Sequence, residues 1–211
     1  IDSNGKATLN VDGVFNSINI GKGANSVAGN TVLGEGALDA SVSGGSNTAV
    51  GFQSLTTLTS GSSNTAVGRR SLYLLTTGGS NTALGQGSLE STSTGSSNTG
   101  IGNAALGTNT TASNNTAIGN TALTANTSGS SNVAVGAESM DSNTTGGQNV
   151  AIGYQSLQSN TTADHNTAVG RASMYNNTTG SNNSAFGKVS VYANTTGTQN
   201  TAIGRSCLES N

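Results

Sequence analysis

The sequence contains no proline and only one cysteine, Cys207, among its 211 residues. The lack of proline is unusual for a disordered or linker-like chain, because such chains are commonly rich in it. A single cysteine excludes an internal disulfide framework. The chain begins at Ile1 rather than at a methionine and stops at Asn211 in the middle of a repeat, so we expect it to be a piece of a longer protein.

Charged and large apolar residues are also scarce. Charged residues make up 8% of the chain and the formal net charge is −2, which offers no electrostatic attraction for nucleic acid or an anionic membrane. No run approaches the ~20 apolar residues of a membrane helix. We therefore expect neither a nucleic-acid partner nor membrane insertion. Leu, Ile, Val and Phe number only 37, but disorder usually pairs such a low value with high net charge.

What the sequence does contain is a repeat. A phrase that opens with Asn and continues as N-x-x-apolar-G returns every 17 residues without an insertion. A fixed period of this kind is typical of stacked structural units. It predicts a repeat array over residues 25–211, with eleven repeats from Asn30 and the last one truncated. The opening residues are Asn30, Asn47, Asn64, Asn81, Asn98, Asn115, Asn132, Asn149, Asn166, Asn183 and Asn200.

The positions of the repeat, numbered from this Asn, differ sharply in residue type. The phrase reads N-T-A-V-G-x-x-S-L-x-x-N-T-T-G-S-S, with Gly always at position 5, apolar residues always at positions 4 and 9, and Ala nearly always at position 3. Charges occur only at positions 6, 7, 10 and 16, so these positions should face water. Since neighbouring strand residues point to opposite faces, we expect positions 4 and 9 to form the core and the Ala face to contact another chain.

The residue types favour strands over helices. Thr, Ser, Asn and Gly are poor helix formers, and "TAV" or "TAI" between Asn and Gly is typical of a brief strand. Glycine at position 5, and usually at position 15, predicts turns with positive φ. The sequence thus predicts an all-β fold, a parallel β-solenoid (β-roll) of 17-residue coils. We expect two short strands per coil, at positions 2–4 and 7–9, and a ladder of hydrogen-bonded Asn side chains at position 1.

The core of such a solenoid would be thin. Burial of two sizeable apolar side chains per coil offsets little of the conformational entropy lost on folding, which costs ~1–2 kcal/mol per residue. The economical solution is a homo-oligomer around a common axis. Residues 1–24 differ from the array, and "KATLNVDGVFNSINIG" (Lys6–Gly21) alternates apolar and polar residues. We expect one or two ordinary strands there, as an N-terminal cap or as the junction to an upstream segment.

The repeat also resembles known families. "NTAVG-x-x-S", at Asn47–Ser54 and Asn64–Ser71, resembles the head repeat of trimeric autotransporter adhesins, a left-handed parallel β-roll assembled as a trimer. The longer phrase resembles the repeats of bacteriophage tail-fibre proteins and related bacterial surface proteins, over roughly residues 25–211. The adhesin repeat is shorter than 17 residues, so its roll geometry need not apply here. The resemblance implies a homotrimeric fibre at an extracellular location, on a virion or a bacterial surface.

Residues able to carry chemistry are few. His165 occupies a loop position, and Cys207 occupies a slot that holds Ser or Ala in other copies, so we expect no enzyme, no cofactor and no metal site. Exposed aromatic residues are the candidate receptor contacts, for a glycan or protein of a host surface. We therefore predict a structural and adhesive fibre segment, with an ice-binding or carbohydrate-binding solenoid as the alternative. The candidate contacts are Phe52, Tyr73, Tyr154, Tyr175 and Tyr192.

Overall fold

A computed structural model describes residues 13–15 and 17–209. This part of the chain contains thirteen short strands and no helix, and the strands form one sheet in chain order. They are β1 (Gly13–Phe15), β2 (Ile18–Gly21), β3 (Thr31–Gly34), β4 (Thr48–Val50), β5 (Thr65–Val67), β6 (Thr82–Leu84), β7 (Thr99–Ile101), β8 (Thr116–Ile118), β9 (Val133–Val135), β10 (Val150–Ile152), β11 (Thr167–Val169), β12 (Ser184–Phe186) and β13 (Thr201–Ile203).

From β3 onward, every strand pairs in parallel with the strand of the next coil. In each pair a residue lies opposite the residue 17 positions further along the chain, as Ala49 does opposite Ala66. Identical positions of the repeat therefore stack on one another along the array. The predicted all-β fold, a parallel β-solenoid of 17-residue coils, is confirmed.

An antiparallel hairpin precedes the array. In β1 and β2, Phe15 lies opposite Ile18, and β2 then pairs antiparallel with β3, so that Ile20 lies opposite Leu33. The hairpin occupies the edge of the first parallel strand, which would otherwise present unpaired backbone groups. Two strands are thus present within the predicted segment Lys6–Gly21, while residues 1–12 of the predicted cap lie outside the described residues.

Each coil contains one strand, so the prediction of a second strand at positions 7–9 was wrong. Positions 7 and 9 adopt positive φ in coil after coil, for example 54° at Gln53 and 51° at Leu55. A strand requires negative φ. Here the residues with positive φ turn the chain instead. The left-handed conformation is costly for a residue with a side chain, and Leu55 adopts it while fully buried.

The two faces of the strand are the reverse of those expected. The position-3 residue is buried in every coil, and Ala49, Ala66 and Ala117 have no exposed area. The position-4 side chain points outward, with Ile118 38% exposed. The reason is space. Position 9 fills the interior with a fully buried Leu, Met or Val in ten coils, so the strand has room for only a small residue at position 3, which is Ala in nine of the eleven coils.

The expectation that charged positions face water is confirmed within the described part of the array. None of the charged side chains at positions 6, 7, 10 and 16 is buried. The solenoid interior is therefore free of charge, and its stability must come from apolar packing and from hydrogen bonds between uncharged groups.

Truncation of the position-9 side chain should test this assignment of the core. Leu123 is fully buried in the middle of the array, so Leu123→Ala should lower the free energy of unfolding by about 3 kcal/mol per chain. Arg69→Ala removes an exposed side chain and should stay within about 0.5 kcal/mol of the parent. Denaturant unfolding compares the two. Equal losses would contradict the assignment.

Candidate binding surfaces

Asparagine ladders hold the coils in register and so position every surface side chain. In the position-1 ladder, the Asn115 side-chain oxygen accepts from the backbone N–H of Asn132 (2.9 Å). Its amide donates to the carbonyl of Gly129 (2.9 Å), at position 15 of the same coil. One side chain thereby links two neighbouring coils and also joins the beginning of its own coil to the end of that coil. The predicted ladder at position 1 is confirmed.

A second ladder, which was not predicted from the sequence, lies at position 12 of the repeat. The Asn143 amide donates to the side-chain oxygen of Asn126 in the preceding coil (2.9 Å) and to the carbonyl of Gly146 (3.0 Å). Six successive coils share this buried residue, and the fixed spacing of 17 would have identified it. Its members are Asn109, Asn126, Asn143, Asn160, Asn177 and Asn194.

Two glycine positions allow the coils to approach each other closely, for different reasons. Position 5 has positive φ, as predicted, with 142° at Gly119. Position 15 does not adopt positive φ, so that part of the prediction was wrong. A side chain built at Gly78 would instead collide with the backbone oxygen of Gly95 in the next coil. Glycine at position 15 therefore reflects close packing between coils.

The outward position-4 side chains form one continuous surface, which we call the apolar stripe. All eleven members are partly or largely exposed. With coils about 4.8 Å apart, the stripe runs for roughly 50 Å. Contiguous apolar surface of such length is unusual on a monomeric protein and marks an interaction surface. Its members are Leu33, Val50, Val67, Leu84, Ile101, Ile118, Val135, Ile152, Val169, Phe186 and Ile203.

The candidate aromatic residues fall into two groups along the array. Near its beginning, Phe52 is 41% exposed. In the next coil, the Arg70 guanidinium lies 4.4 Å from the centre of the Tyr73 ring and forms an ion pair with Glu90 at 2.9 Å. Tyr73 is thus covered on one face by a cation, which is a favourable contact for an aromatic ring.

The second group lies near the end of the array. The rings of Tyr175 and Tyr192, which occupy position 10 of successive coils, stack with their centres 5.3 Å apart and their planes at 16°. Arg171 lies 6.0 Å from the ring centre of Tyr154, and Tyr154 is 43% exposed. The structure therefore brings three of the five candidate aromatic residues together and leaves Phe52 and Tyr73 several coils away.

A groove adjoins the stacked tyrosines. It has a volume of about 390 Å³, within the range of about 300–1,000 Å³ that is usual for small-molecule sites. The repeat pattern indicates the two tyrosines but not the residues around them. We call this feature the C-terminal groove; its lining residues are Gln155, Arg171, Ala172, Tyr175, Val189, Tyr192 and Glu209.

An acidic pair lies one coil before this groove. Burial, together with the nearby Glu138 carboxylate, raises the pKa of Asp141. Glu138 accepts hydrogen bonds from the amides of Gln155 (2.8 Å) and Gln158 (3.3 Å). Within residues 17–209, no group of three or more His, Cys, Asp or Glu side chains lies close enough to hold a metal ion. Glu138 thus holds the two glutamines.

The two residues with catalytic potential are far apart. His165 is exposed in the turn before Asn166 with φ of 59°, and Cys207 is partly buried against the core. Cys207 lies three coils after the coil that contains His165. A thiol nucleophile requires an adjacent base, and these two residues do not form such a pair.

No helix in the described residues is long and apolar enough to cross a membrane. Comparison of the chain with protein-family models yields no match. Neither a curated protein nor a solved structure matches it.

Proposed function

We propose that the chain is a structural and adhesive segment of an extracellular fibre, in which three copies associate side by side through the apolar stripe. The fibre is that of a viral tail or of a bacterial surface adhesin, and the segment has no catalytic role. Its mechanism is mechanical: repetition supplies length and association supplies stiffness. The observation that carries the proposal is the exposure of one apolar side chain per coil along the whole array.

The stripe has the properties of a surface that meets another copy of itself. It contains no charged residue, and charged side chains are depleted in the buried centre of protein interfaces. Its side chains recur once per coil, so a second solenoid aligned in parallel presents the same spacing. Small or half-buried residues flank it, with Thr at position 2 and Gly at position 5. Such flanks let neighbouring solenoids come close.

Association would also compensate for the small amount of apolar surface that each chain buries in its own core. Most coils bury one large apolar side chain, at position 9, together with a small residue at position 3; only the first three coils add another, at Val42, Leu58 and Leu75. Covering the stripe would bury a further large side chain per coil, at ~25 cal/mol per Å² of apolar area. The same gain would recur in each of the eleven coils of each chain. The trimer number itself follows the resemblance to adhesin and tail-fibre repeats.

The ice-binding alternative would require free Thr hydroxyls at positions 13 and 14, where most coils have Thr or Ser, and the hydrogen bonds of position 13 weaken it. The Thr127 hydroxyl donates to the carbonyl of Thr144 (3.0 Å), and the Thr144 hydroxyl donates to Thr161 in the same way (3.0 Å). A hydroxyl has a single donor. The position-13 hydroxyls therefore join neighbouring coils and do not offer a free donor to a water lattice.

A charge placed in the stripe should separate the chains. Ile118 is 38% exposed in the single chain, so the lysine of Ile118→Lys can reach water and the solenoid should still fold. In the assembly, that charge would be buried against the same charge of the other copies, at a cost of several kcal/mol. We expect the parent to have the mass of three chains and Ile118→Lys that of one, measured by sedimentation equilibrium.

Asn120→Lys is the matched control, because Asn120 is exposed in the same coil, two residues further along and outside the stripe. It should keep the parent's mass, and circular dichroism should confirm that both variants are folded. A monomeric parent would contradict the proposed function. A parent assembly that survives Ile118→Lys would show that another surface joins the copies.

A further inference from the structure

We propose that the C-terminal groove, with the cations that continue beside it, binds an acidic glycan whose chain lies along the fibre axis. This inference rests on the proposed adhesive function and assigns it a ligand class and a location. It is carried by two observations, a groove with a tyrosine wall and a column of exposed cations without a carboxylate partner that begins in it, and by the similarity between the coil spacing and the length of one sugar.

The groove lies between positions 6 and 10 of successive coils. Arg171 contributes from position 6, and Val189 from position 7. Tyr175, Tyr192 and Glu209 contribute from position 10. Because the two rings stack face to face along the axis, their edges and hydroxyls are the parts available to a ligand. Tyrosine supplies both apolar contact and a hydrogen-bonding hydroxyl, which is the combination that a sugar ring requires.

The cations form a column at position 6. Arg171, Lys188 and Arg205 occupy this position in three successive coils, and all three side chains are exposed. The one ion pair in the described part of the chain is Arg70–Glu90, so no carboxylate lies within 4 Å of these three. Three like charges on successive coils repel one another and attract a ligand with matching negative charges. We call them the basic column.

An acidic polysaccharide fits this arrangement. An extended chain of pyranose rings advances by about one coil spacing per sugar, so carboxylates on successive or on alternate sugars can meet cations of the basic column. Arg171 can bind a carboxylate through two parallel hydrogen bonds, and the amide of Gln155 and the tyrosine hydroxyls can bind sugar hydroxyls. Glu209 is the one acidic residue that lines the groove. Its carboxylate would repel the carboxylates of the ligand and accept hydrogen bonds from sugar hydroxyls at that end.

The site is independent of the proposed interface. None of its residues occupies position 2 or 4 of the repeat, so association through the apolar stripe leaves it open. A single chain separated from its partners by Ile118→Lys should still bind a short oligosaccharide. Failure of the fibre proposal and failure of the glycan proposal are therefore distinguishable.

The test is titration calorimetry with short oligosaccharides of galacturonic acid, hyaluronic acid and sialic acid, each paired with its neutral methyl ester. We expect at least one acidic oligosaccharide to bind and its methyl ester to bind at least tenfold more weakly (about 1.4 kcal/mol). Binding should weaken as salt is raised. Lys188→Ala, Arg171→Ala and Tyr192→Ala should each weaken it by about tenfold, with thermal melting to verify that each variant is folded.

Arg69→Ala and Tyr73→Ala are the controls, because they remove the same residue types at positions 6 and 10 near the other end of the array. They should leave the affinity unchanged. The proposal is overturned if none of the three acidic oligosaccharides binds, or if the methyl esters bind as tightly. It is also overturned if a poly-glutamate peptide binds equally well, since the site would then recognise charge without recognising sugar.

Discussion

Asn115→Ala should destabilise the solenoid by about 4 kcal/mol, more than truncation of a core leucine. Asn115 is fully buried. Its loss leaves the backbone N–H of Asn132, which donates to the Asn115 side chain at 2.9 Å, without its acceptor inside the stack. The bond from the Asn115 amide to the Gly129 carbonyl, 2.9 Å long, disappears as well. A buried donor without an acceptor costs its full desolvation penalty.

Asn120→Ala is the control, because it makes the same chemical change at an exposed position of the same coil. It should change the free energy of unfolding by no more than about 0.5 kcal/mol. Denaturant unfolding of the two variants and the parent provides the measurement. Similar midpoints for the two variants would mean that the ladder contributes little and that apolar packing alone holds the coils.

Gly119→Ala should be at least as damaging, with a loss of more than about 4 kcal/mol or failure to fold. Gly119 has φ of 142°, a region that residues with a side chain rarely enter. A methyl group there would lie within 2.5 Å of the carbonyl carbon and oxygen of Gly136 in the next coil. That backbone belongs to the stacked sheet, so it cannot move aside without separating the coils.

Gly87→Ala distinguishes the collision with the next coil from the cost of positive φ alone. Gly87 has φ of 65°, and the nearest obstacle is the end of the Glu90 side chain at 2.9 Å, which can rotate away. Ala104 adopts φ of 52° at the same position of the next coil. We expect a cost of no more than about 1–2 kcal/mol. The thermal melting temperatures of the two variants should therefore differ widely, and equal losses would refute the close-approach argument.

The architecture was accessible from the sequence because one signal repeats eleven times. The 17-residue register predicts the parallel stacking, and the invariant Asn30–Asn200 series predicts the position-1 ladder. The inversion of the strand faces was not accessible. Positions 3 and 4 are both uncharged, and hydrophobicity alone favours Ile118 over Ala117 for the core. Only the space left by Leu123 and the two ladders decides which side chain points inward.

The candidate site was predicted in part. Outward position and spacing indicated Tyr175 and Tyr192, and their stacking followed from the coil period. The groove beside them depends on side chains from positions 6, 7 and 10 of different coils, and the sequence shows no distance between those positions. The basic column of Arg171, Lys188 and Arg205 is visible in the sequence when the residue types at position 6 are compared across coils.

The ladders have a further consequence for how such a chain can change in length. The Asn115 side chain bonds within its own coil and with the coils directly before and after it, so the energy of the array is close to a sum over nearest neighbours. Removing or adding one whole 17-residue unit would join equivalent surfaces and leave every remaining ladder intact. Gain or loss of a single residue would shift the 17-residue register and break every ladder at that point. Length in this architecture is therefore quantised, in steps of about 4.8 Å.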